Sequence, residues 1–238
     1  MRGAFPGRFT TIEPAAVEVH AIYRGFADEV RAVHLPPDCD AERPFLPDPA
    51  TLQGRLLLAD RGYPSVPYFD AVRAHGGAFI VRLSHSHDSQ VRAAWVDGQR
   101  VALRPGIRVS RVLAQHADRH ADLDIEYVHG GRVVGFRLVV VPGRDRTMSR
   151  PCTNLPRTPF SASVVARLYR FRWPIELCFK EWKSYANLHT FDTANPHVAA
   201  GLIWASLCAA ILKRVLAHAA PTSLASTAPA ADGPGWSP

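Results

Sequence analysis

Two short apolar runs constrain this chain most. RLLLAD (residues 55–60) is continuously apolar and closes on an aspartate. AFIVRL (residues 78–83) is a second run of the same kind. Runs of this length without alternation suit strands buried on both faces. Between them, residues 66–74 carry a helical pattern that ends at His75-Gly76-Gly77. A strand, a helix and a strand in that order predict a parallel pair and an α/β core. Asp60 then stands at the C-terminal end of the first strand, followed by an Arg-Gly turn.

The surrounding segments fill in this frame. Residues 17–24 and 29–35 alternate apolar and polar around the short link Gly-Phe-Ala-Asp, which predicts a hairpin. A proline-rich connector follows, with a short helix expected over residues 48–53. From residue 84 to 142 short alternating segments recur (RAAWV, RVALR, IRVSRVLAQ, LDIEYV, RVVGFRLVVV), with Asp97-Gly98 and Gly130-Gly131 as hairpin turns. This interval reads as a β-rich insertion. From Ser161 the chain reads as helical. Its longest apolar run, residues 198–212, is shorter than the roughly 20 residues a bilayer span needs and reads as a buried core helix. Residues 221–238 are low in complexity and are expected to be disordered. The resulting division is a first core part (1–83), the insertion (84–142), a helical core part (143–220) and the tail.

Charge narrows the function. The 238 residues carry 28 basic and 21 acidic side chains, a net charge of +7, and the only lysines are Lys180, Lys183 and Lys213. Arginine-rich composition suits phosphate binding and equally suits a skewed base composition. The distribution separates the two. Residues 144–183 hold nine basic against three acidic residues, +6 net, so one stretch carries nearly the whole excess, as expected of a nucleic-acid contact. Cys39, Cys152, Cys178 and Cys208 lie far apart without a CxxC pair, which excludes a disulfide framework and a zinc knuckle and predicts reduced thiols in the cytoplasm. The N-terminus lacks the apolar core of a signal peptide. His85-Ser86-His87-Asp88 reads as a solvated turn, and Trp95 and Trp173 as packed tryptophans.

Within the basic stretch, YRFRWPIELCFKEWK places Tyr169, Arg172, Glu176 and Lys183 at offsets 0, 3, 7 and 14. On one continuous helix these directions fall within about 60° of one another. Leu168, Ile175, Phe179 and Trp182 would form the other, packing face. One face would then present a phenol, two cations and one carboxylate. Cations bind phosphates, and a carboxylate can hold a divalent metal against them. Pro174 interrupts the pattern and is expected to kink or restart the helix. Only Glu176 and Lys183 are then certain to share a face.

The spacing Tyr-x2-Arg-x3-Glu-x6-Lys resembles the YREK signature of insertion-sequence DDE transposases of the insertion-sequence-4 type. LLLADRGY around Asp60, CTNLP at residues 152–156 and the segment FDTANPHVAAGLIWASL are similar to that family too. The resemblance covers residues 17–217 and implies an RNase H-like core with a β-strand insertion before the glutamate helix. It implies cleavage and joining of double-stranded transposon-end DNA and target DNA, with two Mg2+ (or Mn2+) ions held by three carboxylates. Asp60 and Glu176 would be catalytic metal ligands, and Tyr169, Arg172 and Lys183 would contact the DNA backbone. A homodimer in a synaptic complex, bacterial cytoplasmic location and no membrane association are implied as well. The family's first catalytic aspartate belongs on an opening strand upstream of residue 17. The 16 residues there contain no aspartate, so that strand and carboxylate are expected before Met1, which would leave an N-terminally truncated catalytic domain. Such a remnant would at most bind DNA.

Overall fold

The two apolar runs are strands β3 (Leu56–Ala59) and β4 (Ala78–Arg82), and they pair in parallel, with helix α1 (Val66–Ala74) between them. The computed structural model describes residues 4–5, 17–37, 42–142, 148–185, 193 and 195–219; the tail expected to be disordered lies outside these residues. The chain divides into two units, Glu18–Pro174 and Met1–Val17 with Ile175–Pro238.

In the first unit, β1 (His20–Arg24) and β2 (Glu29–His34) form the expected antiparallel hairpin as a sheet of their own. The expected short helix is a 3-10 turn, Pro49–Leu52, capped by the Asp48 carboxylate, which accepts from Ala50 N at 3.0 Å. β3 and β4 open a mixed sheet that continues through β5 (Gln90–Val96), β6 (Gln99–Val101), β7 (Ala121–His129), β8 (Arg132–Pro142), β9 (Met148–Ser149) and β10 (Pro151–Thr153). The order is β3-β4-β10-β8-β7-β5-β6, with β9 on β8. Both glycine turns are formed, with Asp97, Gly98, Gly130 and Gly131 all at positive φ.

Two expectations fail here. β3 is an edge strand among the described residues, and Leu56 is exposed. An apolar run therefore does not by itself guarantee neighbours on both sides. IRVSRVLAQ was expected to be a strand and contains helix α2 (Val109–Gln115). Its Val109, Val112 and Leu113 are buried together, a three-and-four spacing that packing rewards over the β propensity of valine. Asp88 of the histidine-rich turn secures the first turn of α2, accepting from Ser110 N at 2.7 Å and from Ser110 Oγ at 2.9 Å.

Strand alternation builds a core on each face of the sheet. Phe79, Val81, Leu138 and Val140 pack with Phe69 and Val72 of α1. Ile80 and Val139, one residue out of phase, pack with Val165 and Tyr169 of α3 (Ala162–Arg170). Each fully buried side chain of this kind contributes roughly 1.5–3 kcal/mol.

The segment resembling CTNLP is a fastener. Thr153 Oγ1 donates to Phe79 O at 2.5 Å, and Asn154 donates to Gly77 O at 2.8 Å and accepts from Phe79 N at 2.9 Å. Beyond it, Arg137 of β8 is buried. Its guanidinium makes a fork on Asp122 (2.9 and 2.7 Å) and donates to the carbonyls of Leu155, Pro156 and Phe160 at 3.3, 3.2 and 2.7 Å. The loop that leads into α3 is thereby tied to the sheet.

The described part of the second unit is helical. α4 runs Trp173–Tyr185, and α5 runs Pro196–Ala219 with Asn195 accepting from His197 N at 2.9 Å. Arg214 joins Glu181 at 3.0 Å. The expected buried core helix is corrected: α5 buries Ala199, Ile203 and Leu207, four residues apart, and leaves Leu202, Trp204, Leu212, Val215 and Leu216 exposed. Residues 196–217 are also long and apolar enough, by length and composition, to cross a bilayer, contrary to the expectation from the shorter run.

Candidate functional site

The parallel register places Ala59 opposite Val81. Asp60, the residue after β3, therefore comes beside Arg82, the last residue of β4. Asp60 Oδ1 lies 3.9 Å from Arg82 Nε. The turn that carries Asp60 is closed by Tyr63 N donating to Asp60 O at 3.2 Å. It is held from the hairpin by His20, whose Nδ1 is 2.8 Å from Tyr63 Oη and whose ring stacks on Phe45 at 4.5 Å.

α3 delivers the other partners. Ser161 caps its start, and it ends at Arg170, followed by Phe171 and Arg172 in a turn before α4 begins at Trp173. Pro174 thus sits in the first turn of a new helix, where its missing N–H costs no hydrogen bond. Tyr169 is buried on the sheet and donates its hydroxyl to Asp60 Oδ1 at 3.3 Å. Arg172 Nη1 lies 3.8 Å from Asp60 Oδ2 and its guanidinium 5.4 Å from the Tyr169 ring centroid. The Asp60 side chain remains 43% exposed, so one carboxylate is open to solvent and bordered by two guanidiniums and a phenol.

Of the five residues expected to form the site, the structure therefore brings together Asp60, Tyr169 and Arg172. Glu176 stands in the first turn of α4 and Lys183 seven residues on, in the second unit. The single continuous helix considered for the signature is two helices, as Pro174 predicts. Arg82 was not recognised from the sequence, although the register of the parallel pair would have found it. The expectation for Trp173 also changes. Trp173 is 60% exposed rather than packed. Trp95 has the Arg157 guanidinium 3.6 Å from its ring centroid, and Arg157 also pairs with Asp122 and Asp124.

Burial, then the Asp60 charge, push the Tyr169 phenol up to about 12 despite the opposing pull of Arg172 and Arg82. It is thus a neutral donor at physiological pH. Burial likewise pushes Tyr63, Tyr68 and Tyr127 up to about 12. The folded state favours the protonated phenols. This contribution to stability is complete below the unfolded value near 10 and is lost as pH rises through about 12. A spectrophotometric titration of the native chain is expected to show these four of its six tyrosines ionising late, near pH 12 and together with unfolding. The same chain in denaturant should titrate near pH 10.

The chain matches the family described as "Transposase DDE domain" over residues 14–212. It is 45% identical over 82 residues to "Putative transposase InsL for insertion sequence element IS186A" of Escherichia coli. It has the same identity over the same length to "Transposase for insertion sequence element IS421" of Escherichia coli. Each alignment covers 34% of this chain and 21% of the relative, so the matched stretch is about a fifth of those proteins.

Proposed function

We propose, from the premise that this chain belongs to the transposase DDE domain family, that it is the catalytic part of a DNA transposase of the insertion-sequence-4 type. Its substrate is double-stranded transposon-end DNA, which it cuts and joins to target DNA, acting as a homodimer in the bacterial cytoplasm. The observation that carries this reading is the Asp60 carboxylate, open to solvent at the end of a parallel strand and bordered by Tyr169, Arg82 and Arg172.

Arg172 and Lys183 bind backbone phosphates, Arg172 as a planar fork and Lys183 as a point charge. Tyr169 orients Asp60 through its hydroxyl and offers a neutral donor beside the phosphodiester. Phosphate contacts of this kind set register and carry little sequence information. DDE transposase domains generally use divalent metal ions. Asp60 and Glu176 fit such an ion by donor type, since Mg2+ and Mn2+ take hard carboxylate oxygens. We assign both as ligands in a two-ion site, where the metal would activate the attacking oxygen and stabilise the leaving one. Among the described residues no three His, Cys, Asp or Glu gather. The +6 net charge of residues 144–183 supports a second reading, in which the chain holds DNA through its basic stretch without cutting it.

The phosphate assignments are tested by the salt dependence of DNA binding. Arg172→Ala and Lys183→Ala are each expected to weaken binding and to reduce the slope of log K against log salt by about one unit. Unchanged slopes in both variants would remove these residues from the DNA contact.

A further inference from the structure

We propose that Glu18, His20 and Tyr63 form a hydrogen-bonded chain that holds the Asp60 carboxylate in place for DNA cleavage; the proposal rests on the DNA-transposase reading. His20, at the start of β1, is buried, and its ring stacks on Phe45 at 4.5 Å with 13° between the planes. Its Nδ1 lies 2.8 Å from Tyr63 Oη and its Nε2 3.4 Å from Glu18 Oε2. Both Nε2 and that carboxylate oxygen are buried. A phenol keeps its proton at physiological pH, so Tyr63 Oη donates to Nδ1. An imidazole that accepts at Nδ1 carries its proton on Nε2, which then faces the carboxylate. The chain therefore runs in one direction, from Tyr63 to His20 and from His20 to Glu18. Glu18 is itself fixed to the base of the hairpin, its N–H donating to Pro36 O at 2.9 Å.

Tyr63 closes the turn that carries Asp60, its N–H donating to Asp60 O at 3.2 Å. The contacts on the carboxylate itself are long: 3.3 Å from Tyr169 Oη, 3.8 Å from Arg172 and 3.9 Å from Arg82. They shape the field around Asp60 without fixing its place. The ladder between β3 and β4 stops at Ala59, one residue short of it. The link from Tyr63 to the hairpin supplies the restraint that these contacts lack. An apolar ring at position 20 would stack on Phe45 as histidine does, without the desolvation that a buried polar chain costs. What histidine adds is a directed bond to a residue of the Asp60 turn. A reacting group misplaced by about 1 Å can lose roughly a hundredfold in rate, so a restraint here acts on cleavage. Glu18, His20 and Tyr63 lie outside the basic stretch of residues 144–183, so DNA affinity does not depend on them.

The test uses the full chain and a transposon-end duplex, and compares wild type, Tyr63→Phe, His20→Phe and the double variant. Both substitutions keep an aromatic ring and remove one member of the chain. Each single variant is expected to lower the maximal nicking rate roughly 10- to 100-fold, with DNA affinity within about twofold of wild type. The double variant should lose no more than the slower single variant, because one break opens the chain. His20→Asn places an amide oxygen near the position of Nδ1 and should recover part of the rate. Amide exchange reads the turn without metal or DNA. The N–H of residue 63 should exchange about tenfold faster in Tyr63→Phe and His20→Phe than in wild type. Single variants that nick and exchange like wild type would overturn the proposal alone. So would additive losses in the double variant, or a fall in DNA affinity that matches the fall in nicking, since both belong to a general loosening of the fold. If wild type leaves the DNA intact while its residue-63 amide is protected and the variants lose that protection, the transposase reading fails and the restraint on the turn stands.

Discussion

Replacing Asp60 with alanine is expected to lower DNA strand cleavage by about a thousandfold or more while leaving DNA binding equal or tighter. The carboxylate is the acceptor around which Tyr169, Arg82 and Arg172 are arranged, each within 4 Å. As a metal ligand its loss would remove several kcal/mol of transition-state stabilisation, and each 1.36 kcal/mol is tenfold in rate. As a negative charge beside the phosphates it opposes binding, so alanine relieves repulsion. Opposite effects on binding and cleavage, measured by anisotropy and nicking on one DNA, distinguish a reacting centre from a DNA contact. Weaker binding accompanied by proportionally slower cleavage would instead assign Asp60 to holding the DNA.

The largest effect on stability is expected for Arg137→Met. Arg137 and Asp122 are both largely buried, and the guanidinium satisfies a carboxylate and three carbonyls at once. Arg137→Met leaves three carbonyls without that donor and Asp122 with Arg157 alone, 3.1 Å away, at about 3 kcal/mol, the lower end for a broken buried pair. For a chain of this size that is a fall of roughly 10 °C in Tm. The loss would also loosen the loop over residues 155–160 and with it the α3 helix that presents Tyr169. Arg137→Lys cannot reproduce the fork and should recover little. Melting within 2 °C of wild type would show that the loop is held by its apolar contacts instead.

How legible the chain was depended on how local each signal is. The β1–β2 hairpin, the β3–α1–β4 unit and its parallel pairing follow from runs, turns and periods contained in the residues that form them. The break between α3 and α4 follows from Pro174. α2 was misread because valine and isoleucine at mixed spacing satisfy both periods, and burial of Val109, Val112 and Leu113 decides between them. α5 was misread because an apolar run announces hydrophobicity without saying which stripe is covered. Asp60, Tyr169 and Arg172 were named as candidates through the resemblance, and the structure adds their mutual contacts. Arg82 and Arg137 were invisible for the same reason as each other. Arg82 acquires its role from strand register. Arg137 acquires its role from the fold of a loop 18–23 residues away. The role of the CTNLP segment was legible only as a resemblance, and its hydrogen bonds to β4 supply the physical cause.

The central claim is that this chain cuts DNA with Asp60 and Glu176. The most direct measurement is nicking, by the full chain, of a duplex carrying the terminal sequences that flank its own gene, in Mg2+ or Mn2+, for wild type and Glu176→Gln. The account predicts metal-dependent nicks at the terminal sequence with wild type and none above background with the variant. Equal nicking by the two proteins, or intact DNA with wild type in both metals, would contradict it.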